Sequence, residues 1–216
     1  MQAPNKARRI PGAPNLMRLV PVVTVLAMLP GNAHAHLVST RFGELYSGML
    51  HPLTTLVHLV PWLALGLLCG LQSRHNSRWV LLVFPLAVFI GVSSARWLPG
   101  FAALEWINHL SFVVLGALVA LGLRLAPAAL LGLALLLGVS HGLANGSDVF
   151  EGGAWLLYGI GVTLSAYLLI TLVTAGAKVL AATSTPGEIA VRAAGSWVAA
   201  IGLMSLGFLW TTIATP

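Results

Sequence analysis

Six stretches of the chain are apolar almost without interruption, at about 52–71, 79–98, 104–123, 127–144, 154–175 and 193–213. Each is close to the roughly 20 residues needed to cross the hydrocarbon core of a bilayer. None alternates apolar and polar positions as a membrane β-strand would. Backbone groups in lipid must be satisfied within the segment, so the pattern predicts about six transmembrane helices joined by short connections. Pro61, Pro85 and the glycines inside the runs fit that reading, because neighbouring helices in a membrane compensate the freed backbone groups. An earlier apolar run, Leu19–Leu29, is too short to span. Lys6, Arg8, Arg9 and Arg18 precede it and Ala33-His34-Ala35 follows it, the order of a basic region, an apolar core and a small-x-small cleavage site. The expected organisation is therefore a cleavable signal peptide over residues 1–35, with Met17 as an alternative start, and a single all-α, six-helix transmembrane bundle over residues 36–216.

Composition agrees. Of 216 residues, 58% are hydrophobic and 7% charged, and the mean hydropathy is +0.92. A soluble domain carries about a quarter of its residues as charges, and disorder requires low hydrophobicity with high charge. Both classes are excluded. The pI near 10.5 owes much to the basic leader and does not point to nucleic acid. Cys69, the single cysteine, has no internal partner for a disulfide and is read as a small packed hydrophobe.

Charge also orients the chain. A cleaved signal puts the mature N-terminus outside the cytoplasmic membrane of a bacterium. Alternation then assigns Arg74, Arg78, Arg124, Lys178 and Arg192 to the inner side, and only Arg41 and Arg96 to the outer. This is the positive-inside bias.

The polar residues inside the apolar runs are few and unevenly placed. His36, His51, His58, His109 and His141 fall on the outer side or in the outer half of a span, as do Glu44, Glu105, Asp148 and Glu151. An ionisable group in a span costs about 2.5–3.5 kcal/mol at mid-membrane on the mildest scale and is a functional candidate by default. His51 and His58 are seven residues apart, which on a continuous helix puts both on one face. Glu105 and His109 are four apart and share a face on another helix. His141 lies near the outer end of the fourth span, before Asn145-Gly146-Ser147-Asp148. Neutral imidazole with carboxylate suits Ni²⁺, Co²⁺ or Zn²⁺. The candidate metal residues are thus His51, His58, His141, Glu105, His36 and His109, with no catalytic group and no resident cofactor expected.

Several segments together resemble the HupE/UreJ family. They are Ala35-His36-Leu37-Val38, Gly48-Met49-Leu50-His51-Pro52, His58, the helix opened by Glu105, and His141-Gly142-Leu143-Ala144-Asn145-Gly146. The family signature His-Pro-x-x-Gly-x-Asp-His reads here His51-Pro52-Leu53-Thr54-Thr55-Leu56-Val57-His58, with Thr55 for the glycine and Val57 for the aspartate. The resemblance implies a nickel or cobalt permease of the membrane, with a functional link to hydrogenase or urease systems.

No Gly-x-x-x-x-Gly-Lys-Ser/Thr loop is present, so the expected mechanism is secondary transport of a divalent transition metal. Two readings stand beside it. One is a non-transporting envelope protein that binds metal. The other is an intramembrane zinc hydrolase, since three histidines and an acid can hold Zn²⁺ with an open position for water.

Overall fold

The computed structural model describes residues 43–98, 102–146 and 155–214, and all regular structure among them is helical. The elements are α1 (Gly43–Thr54), α2 (Leu56–Leu71), α3 (Arg74–Ser94), α4 (Ala102–Ala120), α5 (Pro127–Gly146), α6 (Trp155–Thr183) and α7 (Thr185–Ala214). Five of these are long and apolar enough to cross a membrane; α1 and α2, bent by 76° at their junction, supply a sixth if taken together. The all-helical membrane architecture read from the sequence is therefore present. The signal peptide and His36 lie outside the described residues.

The first predicted span needs correction. In place of one helix over 52–71, the chain forms two, and the break falls at Thr55, whose backbone is extended (φ −101°, ψ 105°). Two local causes act together. Pro52 has no N–H and its ring crowds the carbonyl one turn back, at Gly48. Thr54 then turns its hydroxyl onto the carbonyls of Leu50 (3.0 Å) and His51 (3.2 Å), competing with the helical ladder. The next helix restarts on the carbonyl of Thr55, which accepts from the N–H groups of His58 and Leu59, both at 3.0 Å.

Helix ends differ from the apolar runs for a simpler reason: a helix continues into the interface beyond its lipid-facing stretch. Thus α3 begins at Arg74, and Ser73 caps it by accepting from the N–H of Asn76 at 3.2 Å. The loop expected over 176–192 shrinks to Ser184, with α6 reaching Thr183 and α7 starting at Thr185.

α2 is the central element, packed chiefly on α6 and α4; α3 pairs with α5, α4 with α7, and α1 lies on α6. Large side chains meet in the middle, where Trp62, Leu65, Leu68, Phe84, Leu115 and Ile170 are fully buried. Outward-facing Leu86, Ile90, Leu172, Leu203 and Phe208 are more than half exposed, and such a surface is solvated by lipid.

Close approach of α3 and α5 depends on Gly138, Gly142 and Gly146, spaced four apart on one face of α5. A Cβ at Gly138 would lie 2.8 Å from the carbonyl oxygen of Phe84, and one at Gly146 2.8 Å from that of Val92. This small-residue stripe lets two backbones touch where hydrophobic driving force between helices is absent.

At the other end of the bundle a buried Gln72 ties three elements together. Its side chain donates to the carbonyl of Leu123 and accepts from the N–H of Leu125, both at 2.9 Å, while its own carbonyl accepts from Lys178 Nζ at 2.8 Å. Gln72→Leu would strand two backbone groups of the α4–α5 connection. A loss of about 1–3 kcal/mol is expected, read as a lower thermal midpoint in detergent with the helical signal intact.

Candidate functional site

The break at Thr55 builds the site. His51 ends α1 and His58 opens α2, so they do not share one face of a continuous helix; the bend instead brings their rings to 6.0 Å between centroids. α1 is held in this pose by α6: Ser165 Oγ donates to the carbonyl of Met49 at 2.7 Å, Gly48 lies against the backbone of Tyr158, and Gly161 lies against that of Leu45, Gly48 and Met49. The ring of Tyr158, also on α6, stands 6.2 Å from that of His51.

From His58 a polar row continues inward to the bundle axis. His58 is 3% exposed and His141 is completely buried. Their Nδ1 atoms are 3.0 Å apart, with the rings edge to face. His141 Nε2 lies 3.1 Å from Ser111 Oγ on α4. One turn along α5, Asn145 Nδ2 donates to the carbonyl of His141 at 2.7 Å, and Tyr158 donates to the carbonyl of Asn145 at 3.1 Å. The amide oxygens of Asn108 and Asn145 are buried with no hydrogen-bond partner among the described residues. Toward the middle of the bundle, the row is closed by Trp62, whose ring is 6.3 Å from His58 and 5.5 Å from Phe84.

Of the six residues expected to meet a metal, the structure brings three together: His51, His58 and His141. His109 belongs to a different seam. It is hydrogen-bonded to Ser205 of α7, stacks on Phe112 at 6.1 Å, and lines a cavity of about 450 Å³ with Ile201, Met204 and Phe208. Glu105 is exposed in the first turn of α4. Val57, at the position of the signature aspartate, packs partly buried against the apolar core. The row therefore contains no carboxylate among the described residues. Nor do those residues include a cluster of three or more His, Cys, Asp or Glu side chains arranged to hold a metal ion.

Ser111, Asn108 and Tyr158 are the neighbours that the sequence reading did not single out. A signal existed for the first two: a polar pair three apart in an apolar helix shares a face, and polar groups in a span seek the protein interior.

A histidine row buried between helices, fed by a broken first span, defines a polytopic α-helical membrane protein with an intramembrane polar site. The family model described as HupE / UreJ protein matches residues 23–205. The chain belongs to the HupE/UreJ family, a group of membrane proteins associated with nickel and cobalt transport. No curated protein and no solved structure gives a significant match.

Proposed function

We propose that the protein is a secondary permease for a divalent transition-metal ion, Ni²⁺ or Co²⁺, which it takes through the histidine row toward the cytoplasm. The observation that carries the reading is the close pair His58–His141 with His51 beside it at a helix break. Borderline divalent ions bind imidazole well, and broken helices at mid-membrane are where transporters commonly form ion sites. In this reading His51 receives the ion, His58 is the buried ligand and His141 stands behind it. Glu105 and His36 serve at most in capture, and His109 is a packing residue of the α4–α7 seam.

Orientation follows from charge: Arg74, Arg78, Arg124, Lys178 and Arg192 mark the cytoplasmic end, and the histidines open to the opposite side. The membrane potential then drives uptake. Two charges at about 2.3 kcal/mol per 100 mV amount to about 4.6 kcal/mol, over a thousandfold accumulation.

The buried Trp62–Phe84 pair beneath His58 favours a second reading, an envelope protein that binds the ion without passing it. Flux of radioactive Ni²⁺ into proteoliposomes under an inside-negative potential separates the two. The permease predicts potential-dependent accumulation, and the binding protein predicts none.

A further inference from the structure

The hydrogen bonds around His141 have only one consistent set of directions. Ser111 Oγ lies 2.5 Å from the carbonyl oxygen of Asn108. A carbonyl only accepts, so the single hydroxyl proton of Ser111 is committed there. Ser111 Oγ must then accept from His141, which puts a proton on His141 Nε2 at 3.1 Å. A neutral imidazole carries one N–H, so His141 Nδ1 is left as a lone pair. The contact of 3.0 Å between the two Nδ1 atoms therefore needs its proton on His58. Neutral His58 is then the Nδ1–H tautomer, and Nε2 carries its lone pair.

From this we infer that Ser111 is a positioning residue: through His141 it fixes the tautomer of His58 and makes His58 Nε2 the cation-binding atom. The inference deepens the proposed function and rests on it only where metal is concerned; the tautomers themselves are a property of the metal-free protein. It also separates the two histidines by role. Both nitrogens of His141 are engaged in hydrogen bonds, so His141 acts as the partner that orients a ligand and raises its basicity, the task outer-shell groups perform at metal sites.

The test is ¹⁵N NMR of the metal-free full chain in detergent, with histidine ring nitrogens labelled and His58 and His141 assigned by single substitution. We expect protonated Nδ1 on His58 and protonated Nε2 on His141. Protonated Nε2 on His58 overturns the inference, whatever nickel does. Ser111→Ala should give mixed tautomers at both rings and weaken Ni²⁺ binding by about 10- to 100-fold, and Ser111→Thr, which keeps the hydroxyl, should restore both. Unchanged tautomers and unchanged Ni²⁺ affinity in Ser111→Ala also overturn it. Should His58→Ala leave Ni²⁺ binding intact while the wild-type tautomers are as stated, the metal reading fails and the hydrogen-bond assignment stands.

Discussion

His58→Ala is expected to weaken Ni²⁺ binding to the purified protein by about 100-fold or more, equivalent to about 2.7 kcal/mol. His58 is the junction of the row: its ring neighbours His51 on one side and is bonded to His141 on the other. Removing it deletes the deepest accessible imidazole and leaves the Nδ1 atom of His141 without its partner. His51→Ala should cost less, since His51 is only half-buried and His58 keeps its contact with His141. His109→Ala should leave affinity unchanged within about twofold, because His109 is engaged with Ser205 on the α4–α7 seam. Titration calorimetry on the three variants, with circular dichroism to verify the fold, gives the ranking. Equal losses for His58→Ala and His109→Ala would remove the basis for assigning the row.

The second large effect concerns packing. Gly142→Leu should abolish or severely reduce folded protein, because the α3–α5 seam leaves no space for a side chain. A Cβ at Gly142 would lie 2.9 Å from the Cα of Gly91 and 3.0 Å from the backbone carbon of Val88. These neighbours are main chain, so no rotamer change relieves the clash and the helices must separate. Overpacking of this kind costs about 1–3 kcal/mol or more, and it displaces His141, the adjacent residue. Gly132→Ala on the same helix is the control: nothing lies within 4 Å of its Cβ position, and alanine should gain about 0.5–1 kcal/mol of helix stability. Thermal unfolding in detergent reads both. A Gly142→Leu protein as stable as wild type would mean that α3 and α5 do not pack through this stripe.

Much of the architecture was legible because lipid imposes a length and an apolarity on each helix that few other contexts do. Five spans were placed to within a few residues in the membrane, though their ends were not: Arg74, Lys178 and Arg192 were assigned to connections and lie in helical turns. The sharp bend at Thr55 was hidden for a different reason. Pro52 is tolerated inside many membrane helices, so it does not by itself announce a break, and the Thr54 hydroxyl bonds that complete it depend on the local fold. The site shows the same division. His51, His58 and His141 were singled out because imidazole in an apolar run is costly without a purpose. Helical spacing could not say that His51 and His58 would meet across a bend, nor that Glu105 and His109 would turn to solvent and to α7. Ser111 was passed over because a serine in a span is cheap, and only its position between Asn108 and His141 gives it a role.

The central claim is that imidazoles of this row bind the ion directly. X-ray absorption at the nickel edge on the Ni²⁺-loaded full chain tests it with the fewest assumptions. The account predicts imidazole multiple scattering that is present in the wild type and lost in a His51→Ala/His58→Ala double variant. A wild-type spectrum of oxygen neighbours alone, unchanged in that variant, would contradict it.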